Sequence, residues 1–302
     1  MTELAPILRG NFLARFSTHS PVLHGHQMLL SNGMRDFCLK ANLKFLGGTN
    51  LIKSTLISKK PGWNINPVSA PLYRGAVTVG CGVGGSGPIR DPYTKWIYRS
   101  VLSPSIVHST RDQRTAEVLQ ALGVRAVNTG CPTTWTLTAE HCAKIPLARA
   151  PRVVFTVTDY AQNRDHDLAI LDALRDMYEE TFVWIQGSRD FQYLSELDVL
   201  DRVTLIEPSL SAYRDFLAME DVDYVGTRLH AGIFAMRHGR RAIIVAVDHR
   251  ALDMQETHNL NVVPRGDVSE LRRMVEQDVV TDVRINRVAI DDWMKQFVSV
   301  DA

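Results

Sequence analysis

From about residue 150 onward, short runs rich in β-branched residues alternate with amphipathic stretches of helical length. This alternation is typical of βαβ units, in which helices join consecutive parallel strands and cover the sheet. A helix is predicted from about Asp165 to Tyr178, because leucines and a methionine recur there at helical spacing. The predicted strands are Val153 to Val157, Phe182 to Gln186, Val203 to Ile206, Tyr224 to Gly226 and Ala242 to Val247. This half of the chain is therefore predicted to form a doubly wound domain.

The first half of the chain carries comparable pieces in a less regular pattern. Strands are predicted at Leu43 to Leu46, Ala76 to Val79 and Ile106 to His108, and a helix near Gln113 to Leu122. Turn-forming residues follow each strand, at the edge where α/β sheets bind ligands. We therefore expect an α/β fold class with two Rossmann-like domains facing a cleft.

The length of 302 residues supports this division, because it exceeds what one hydrophobic core usually organises. We place an N-terminal Rossmann-like domain at residues 1–140 and a C-terminal Rossmann-like domain at residues 150–280. The segment from Gly130 to Arg149 has little periodicity, which is typical of a connection. Residues 281–302 are predicted to form a C-terminal helix, from about Val283 to Phe297, that packs back on the first domain.

The composition argues against several classes of function. Hydrophobic residues make up 45% of the chain and the formal net charge is +1, so we expect a globular protein without the broad basic face that nucleic acids require. The four cysteines show no spacing typical of zinc sites, and we expect no bound metal. No leading apolar segment resembles a signal peptide, which favours a cytoplasmic location.

The most informative local motif is Arg228-Leu229-His230, at a predicted turn from strand to helix. Thr227 is expected to cap the helix, whose dipole and first amides would face a negative group together with the Arg228 guanidinium. His230 would lie in the first turn, where an imidazole can move a proton near neutral pH. The alternative is that Arg228 pairs with a surface carboxylate and that His230 is a half-buried structural histidine.

Two glycine-containing loops follow strands in the first half. Gly48 permits close approach of a ligand to the backbone, and Asn50 offers an amide to a hydroxyl or phosphate group; an ordinary turn is the alternative. The run from Gly80 to Gly85 resembles a dinucleotide-binding loop only loosely. Because no amphipathic helix follows it directly, we do not expect a nicotinamide cofactor.

A third loop contains a second arginine. Arg111 precedes a helical stretch that Ser109 or Thr110 would cap, so its guanidinium would stand at the amino end of the helix. Asp112 is interpreted either as an acid-base residue or as a first-turn acid that balances the helix dipole.

Five segments taken together resemble the polysaccharide pyruvyl transferase family: GGTN at 47–50, GCGVG at 80–84, STRDQRTAEVLQALGV at 109–124, VGTRLHAGIFAMRHGRRAIIV at 225–245 and DHR at 248–250. The resemblance implies a glycosyltransferase-B-like protein that moves the enolpyruvyl unit of phosphoenolpyruvate onto a sugar and forms a cyclic pyruvate ketal. This chain departs from the family in two places. Arg9-Gly10-Asn11-Phe12 stands where the family has a Gly-Asn-x-Gly-Asp type loop, and Asp248-His249-Arg250 stands where many members have Asp-x-Lys.

The resemblance also implies roles for single residues, with the acceptor on the N-terminal domain and the donor on the C-terminal domain. Arg228, Leu229 and His230 match the motif that holds phosphoenolpyruvate, and Arg111 matches the arginine of the other motif. Phosphoenolpyruvate carries a phosphate and a carboxylate, so forked guanidinium donors from both arginines suit it. We assign His230 as the acid that protonates the methylene carbon.

Further substrate contacts are expected from Asn50, Gly48, Thr227, Asp248 and Arg250. Three residues are candidates for the base that accepts the proton of the sugar hydroxyl: Asp112, which is nearest in the motif, and Asp248 and His249 as second choices. The sequence does not rank them firmly.

No cofactor is expected, since phosphoenolpyruvate is the donor substrate. The acceptor is expected to belong to an exopolysaccharide or cell-envelope glycan, with a lipid-linked oligosaccharide as one form. Basic residues between Phe12 and Lys60 would allow peripheral contact with the inner face of an anionic membrane, although a solvated basic face is the alternative. Two other functions stay open: a glycosyltransferase of the same architecture that uses a nucleotide-sugar, and a non-catalytic sugar-binding relative.

Overall fold

The computed structural model describes residues 32–297, apart from residues 42, 49, 58–62, 64 and 86. The family-variant loop at Arg9 to Phe12 and part of the basic stretch from Phe12 to Lys60 therefore lie outside the described residues. The chain divides into two compact units. The first unit comprises residues 1–135 and 286–302, and the second comprises residues 136–285.

The first unit contains short parallel strands and the helices that connect them. Its strands are β1 (Lys44–Gly47), β2 (Ile52–Lys53), β3 (Ala76–Val79), β4 (Val83–Gly84), β5 (His108–Thr110) and β6 (Ala126–Asn128). Its helices before the second unit are α1 (Asn32–Lys40), α2 (Ala70–Tyr73), α3 (Pro92–Val101) and α4 (Gln113–Gln120), with a 3-10 turn at Pro132–Thr134.

Parallel pairing joins β1 to β3, β2 to β4 and β5 to β6. β3 and β5 also run side by side, because the Thr78 hydroxyl donates to the Ser109 carbonyl and an isolated parallel bridge links Cys81 to Thr110. The carboxyl ends of β1, β3 and β5 are therefore neighbours. The loops that follow these three strands meet at one edge of the unit.

Strand β5 begins two residues later than the sequence predicts. The backbone of Val107, expected inside the strand, is instead bound by two side chains from the C-terminal part of the chain. Its N–H donates to Gln296, and its carbonyl accepts from the Trp293 indole at 2.7 Å. Trp293 and Gln296 lie far from Val107 in the chain, so no local sequence pattern indicates these contacts. Periodicity alone therefore places the start of β5 two residues too early.

The second unit is built around one six-stranded parallel sheet. Its strands are β7 (Arg152–Thr156), β8 (Glu180–Trp184), β9 (Thr204–Ile206), β10 (Val222–Gly226), β11 (Ala242–Ala246) and β12 (Val262–Pro264). Its helices are α5 (Ala139–Cys142), α6 (Arg164–Met177), α7 (Asp190–Glu196), α8 (Leu210–Met219), α9 (Leu229–Arg237), α10 (His249–His258) and α11 (Val268–Glu276), with a 3-10 turn at Leu200–Arg202.

The strand order of this sheet is β12-β11-β10-β7-β8-β9. The chain thus builds outward from β7 through β8 to β9, returns to the other side of β7, and continues from β10 to β12. β7 and β10 pair over five residues, from Arg152 beside Val222 to Thr156 beside Gly226. Ligands of doubly wound sheets bind beyond the carboxyl ends of the two strands where the order reverses, which here are β7 and β10.

The final helix, α12 (Arg287–Lys295), belongs to the first unit. Its Trp293 packs against the rings of Trp135, Phe45 and Phe297 and donates to Val107. Aromatic burial of this kind is among the larger contributions to a core, so α12 is anchored to its unit mainly through Trp293.

Candidate functional site

A small cavity lies beyond the carboxyl ends of β7, β8, β10 and β11, within the second unit. Its volume is about 90 Å³. Six residues singled out from the sequence line it: Thr227, Arg228, Leu229, His230, Asp248 and Arg250. The structure therefore brings together the Arg-Leu-His turn after β10 and the Asp-His-Arg segment after β11, at the place where the strand order reverses.

Arg228 is held firmly by the loops around it. Its side chain is 11% exposed, and its Nε donates to the Val157 carbonyl at 2.8 Å. Its Nη2 donates to Oδ1 of Asp159 at 3.0 Å and to Oδ1 of Asp190 at 2.5 Å. Both carboxylates are largely buried, so Arg228 does not form the surface ion pair that the sequence left as an alternative.

These bonds occupy the Nε and Nη2 edge of the guanidinium group. Among the residues that the structure describes, none accepts a hydrogen bond from Nη1 of Arg228. Nη1 is therefore the nitrogen that can serve a ligand in the cavity. The expected two-nitrogen fork is not available in this arrangement, because Nε and both hydrogens of Nη2 are already bound to protein oxygens.

Thr227 does not cap helix α9, and that prediction was wrong. The first boundary residue of the helix is Arg228, and no side chain provides a cap bond. The Thr227 hydroxyl instead bonds the Thr156 carbonyl at 3.1 Å and the Thr158 hydroxyl at 2.8 Å, both across the neighbouring strand end. The start of α9 is therefore without a side-chain cap, and the Leu229 N–H, which opens the helix, has no acceptor within it.

Gly226 allows the turn after β10 to lie close to β7. A Cβ at this position would be 2.3 Å from Oγ1 of Thr156 and 2.8 Å from the Tyr224 hydroxyl. The Tyr224 hydroxyl in turn donates to the Arg228 carbonyl at 2.8 Å. The start of α9 is thus fixed from the sheet side by packed polar groups.

His230 is the second residue of α9 and lines the cavity with an exposed side chain. The positive end of the helix dipole stabilises anionic groups beside this first turn. His230 thus lies in the first turn, as the sequence predicts, and lines the same cavity as Arg228.

Asp248 and Arg250 form a second charged pair at the cavity. Asp248 caps α10 by accepting from the Arg250 N–H at 2.9 Å, and the Arg250 guanidinium binds both carboxylate oxygens. Burial works against ionisation of Asp248, but the hydrogen bonds and charge of Arg250 outweigh it and lower the pKa of this carboxyl group. Asp248 therefore stays ionised and is a weak base near neutral pH.

In the first unit, three strand-end loops meet at Arg111. Its Nη2 donates to Oδ1 of Asn50 at 2.8 Å, and its backbone N–H donates to the Cys81 carbonyl at 2.9 Å. Gly82 lies against the same group, since a Cβ there would be 2.8 Å from Nη2 of Arg111. Gly48 opens the loop before Asn50 with a φ of +147° that favours glycine.

Asp112, rather than Ser109 or Thr110, caps helix α4. Its Oδ1 accepts from the Thr115 N–H at 2.7 Å and from the Thr115 hydroxyl at 2.8 Å. Ser109 and Thr110 lie within β5 and are fully buried, so the prediction that one of them caps the helix was wrong. The cap bonds engage one oxygen of Asp112, and its other oxygen lies 3.7 Å from Nε of Arg111.

Arg111 belongs to the first unit and Arg228 to the second. Their convergence on one ligand therefore stays a prediction, as does the role of Asp112 as a base.

Sequence reasoning missed three residues of the site: Tyr160, which lines the cavity, and Asp159 and Asp190, which bind Arg228. Asp159 and Tyr160 lie in the loop that follows β7, so the strand-end criterion applied to the other loops would have found them. Asp190 carried no such signal. It begins a short helix, and its importance comes from partners in three separate loops.

Within the described part of the chain, no three His, Cys, Asp or Glu side chains cluster as a metal site requires. Likewise, no helix there combines the length and apolar character needed to cross a membrane.

Three comparisons relate the chain to known proteins. A sequence model of the family described as polysaccharide pyruvyl transferase matches residues 23–249. No curated protein sequence matches the chain significantly. Among solved structures, the UDP-GlcNAc 2-epimerase of Methanocaldococcus jannaschii, in complex with UDP-GlcNAc and UDP, is 11% identical, with 91% of this chain and 80% of that chain covered and a TM-score of 0.51. The apo form of WaaB, a lipopolysaccharide outer core galactosyltransferase, is 14% identical over 70% of this chain and 61% of that chain, with a TM-score of 0.38.

At this low identity, the similarity to the epimerase concerns the fold alone. It agrees with the predicted fold class, a mixed α/β chain of glycosyltransferase-B type with parallel sheets in both units.

Proposed function

Because the chain belongs to the polysaccharide pyruvyl transferase family, we propose that it transfers the enolpyruvyl group of phosphoenolpyruvate to a sugar and forms a pyruvate ketal. The observation that carries this proposal is the position of Arg228, Leu229 and His230. They line one cavity at the point of strand-order reversal, together with Asp248 and Arg250.

The cavity suits one anionic group of a small donor. Its volume is about 90 Å³, enough for a group of a few heavy atoms. Arg228 brings a cation to this space, and the Leu229 N–H, which opens α9, has no acceptor within the helix. The phosphate of phosphoenolpyruvate would bind these donors, with the helix dipole adding to the attraction.

The reaction requires four changes at the donor. A proton adds to the methylene carbon, which becomes the methyl group, and the adjacent carbon takes on oxocarbenium character. One sugar hydroxyl forms a bond to that carbon and gives up its proton, and the bond from carbon to the phosphate oxygen breaks. A second hydroxyl then closes the ketal and releases its proton. Inorganic phosphate is the other product.

His230 supplies the first proton in this scheme. It lies in the first turn of α9, beside the donors for the phosphate, and imidazole is the side chain best suited to proton transfer near neutral pH. Arg250 lowers the pKa of Asp248 and keeps this carboxyl group ionised. Asp248 is therefore better suited to accept a hydrogen bond from a sugar hydroxyl than to act as the base that removes its proton. His249, which begins α10, and Asp112 remain candidates for the base.

The acceptor is proposed to be a sugar of a polysaccharide precursor, either free or lipid-linked. We place its contacts in the first unit, at the loop that holds Gly48 and Asn50. Arg111, which donates to Asn50, is proposed as the second cation for phosphoenolpyruvate. The proposed setting is the cytoplasm, including the inner face of the membrane, and no cofactor beyond the donor is needed.

The test combines binding with product analysis. Calorimetry compares phosphoenolpyruvate with a panel of nucleotide-sugars, and each donor is then incubated with soluble and lipid-linked oligosaccharides. We expect binding of phosphoenolpyruvate, release of inorganic phosphate, and a gain in acceptor mass that corresponds to a pyruvate ketal. Transfer of a sugar from a nucleotide donor would replace the proposal with a glycosyltransferase, and sugar binding without any product would leave a binding protein.

A further inference from the structure

We propose that Asp190 is a positioning residue that orients Arg228 so that its Nη1 faces the donor anion. This inference rests on the proposed function, because it concerns how phosphoenolpyruvate is held. Asp190 does not line the cavity, and it acts on the ligand through Arg228.

Asp190 is completely buried and accepts hydrogen bonds at both carboxylate oxygens. Oδ2 accepts from the backbone N–H groups of Gln186 at 3.1 Å and Gly187 at 2.6 Å. Oδ1 accepts from the Asp159 N–H at 3.2 Å and from Nη2 of Arg228 at 2.5 Å. Four hydrogen bonds from four different residues therefore fix the position of this carboxylate group.

These partners come from three different loops. Gln186 and Gly187 follow β8, Asp159 follows β7, and Arg228 follows β10. One carboxylate therefore ties together the ends of three neighbouring strands around the guanidinium group. With Nη2 fixed by Asp190 and Nε fixed by the Val157 carbonyl, the plane of the guanidinium is set and Nη1 has one direction.

Gly187 shows how closely this arrangement is packed. A Cβ on Gly187 would be 2.3 Å from Nη2 of Arg228 and 2.8 Å from Oδ1 of Asp190. Its backbone is not in the left-handed region, so space rather than conformation requires glycine here. Even a methyl group would displace the pair.

The negative charge of Asp190 and its role in orienting Arg228 have opposite expected effects on anion affinity when the carboxylate is removed. Removing a negative charge near an anion site should strengthen anion binding if only charge matters. Losing the partner that sets the guanidinium plane should weaken binding if orientation matters. In Asp190→Asn, the amide oxygen can still accept from Gln186 and Gly187, but its NH2 group then faces two other donors, the Asp159 N–H and Nη2 of Arg228.

The experiment titrates phosphoenolpyruvate into the wild type and Asp190→Asn and measures KM and kcat for the same pair. We expect the dissociation constant and KM to rise about 100-fold, as the loss of one hydrogen bond between charged groups would produce, with kcat changing much less. In the Arg228→Ala background, Asp190→Asn should add no further loss. Gly187→Ala, which disturbs the same pair from another side, should reproduce the rise.

The matched control is Asp223→Asn. Asp223 is also buried, and it pairs with the buried Arg241 at 2.7 Å near the amino end of β10, away from the cavity. We expect this variant to lower thermal stability while leaving the affinity for phosphoenolpyruvate unchanged. Such a result would show that the weaker binding of phosphoenolpyruvate in Asp190→Asn comes from the altered orientation of Arg228. It would not be a general effect of losing a buried ion pair.

Two results would overturn the inference, and they are distinguishable. If the wild type binds phosphoenolpyruvate and Asp190→Asn or Gly187→Ala binds it as tightly or more tightly, Asp190 does not orient Arg228 and the proposed function stands. If the wild type itself does not bind phosphoenolpyruvate, the proposed function fails and the inference fails with it.

Discussion

Nη2 of Arg250 donates a hydrogen bond of 2.8 Å to the hydroxyl oxygen of Tyr160. The Tyr160 ring also lies against two guanidinium groups, with its centroid 5.3 Å from Cζ of Arg228 and 5.8 Å from Cζ of Arg250. Tyr160 comes from the loop after β7, whereas the two arginines follow β10 and β11. One half-exposed ring therefore connects the two cations that line the cavity.

Replacing Tyr160 should separate the contribution of its hydroxyl from that of its ring. Tyr160→Phe removes only the acceptor for Arg250, so we expect kcat/KM for phosphoenolpyruvate to fall about 5-fold. Tyr160→Ala also removes both cation–π contacts, and the expected fall is about 30-fold. Steady-state kinetics of the two variants measures both effects, and equal activity of Tyr160→Ala and the wild type would contradict the prediction.

His230 and Arg228 should fail in different ways when truncated. His230→Ala removes the proposed acid, so turnover should fall about 100- to 10,000-fold while phosphoenolpyruvate still binds. Arg228→Ala should lose the binding itself. Single-turnover kinetics and calorimetry distinguish the two outcomes.

The control for His230 is His238, at the other end of the same helix. Its Nδ1 lies 2.8 Å from the Phe234 carbonyl, and its ring packs on Phe234. His238→Ala should therefore leave turnover intact. Unchanged turnover in His230→Ala would remove the assignment of this residue as the acid.

Gly82→Ala should impair the first-unit loops through Arg111. The new Cβ would be 2.8 Å from Nη2 of Arg111 and 3.2 Å from Oδ1 of Asn50, so their hydrogen bond would be displaced. We expect kcat/KM to fall about 10-fold or more, because displacement of a substrate-positioning group by about 1 Å is costly. Gly87→Ala is the control, since no heavy atom lies within 4 Å of a Cβ there. Equal activities of the two alanine variants would show that the Arg111–Asn50 contact is not needed.

His108 should make the stability of the protein depend on pH. It is fully buried, its Nδ1 accepts from the Thr78 N–H at 3.1 Å, and its Nε2 therefore carries the proton and donates to the Ser103 carbonyl at 2.9 Å. Burial lowers the pKa of this imidazole, and the hydrogen bond to Ser103 opposes that effect only in part. The native state thus keeps His108 neutral.

The sign of the pH effect follows from the unfolded state. There the imidazole takes up a proton near pH 6.5, whereas the folded protein resists protonation until a lower pH. The free energy of unfolding should therefore decrease as pH falls below about 6.5, by at most about 1.4 kcal/mol per pH unit from this residue. Urea unfolding at pH 8 and pH 5.5 measures the change, and His108→Gln should flatten the profile. The same slope in both proteins would exclude His108 as its source.

The locations of the strands and of the main motif were accessible from the sequence because the signals are local. β3 occupies the predicted residues, and β7, β10 and β11 lie within two residues of their predicted positions. Parallel strands must present their carboxyl ends at one edge of a sheet. For that reason, the turn at Arg228 and the segment at Asp248 could be expected to face one site before any contact was known.

The bonding partners of the site residues could not be predicted in this way. Thr227 looked like a helix cap by its type and position, yet its hydroxyl bonds Thr158, which lies 69 residues away in the chain. Asp112 caps α4 because β5 lies two residues further along the chain than its pattern suggests, so Ser109 and Thr110 belong to the strand. Val107, which was expected inside the strand, is bound instead by Trp293 and Gln296 in the C-terminal part.

The amino-acid pattern by itself determined the class of fold, the family and the turn that carries Arg228 and His230, since periodicity, turn chemistry and short motifs depend on neighbouring residues. Only the tertiary structure decided which nitrogen of Arg228 is left for a ligand. Asp159 and Asp190, which engage its Nη2, lie 69 and 38 residues from it in the chain. They meet it only because parallel pairing places the ends of β7, β8 and β10 side by side.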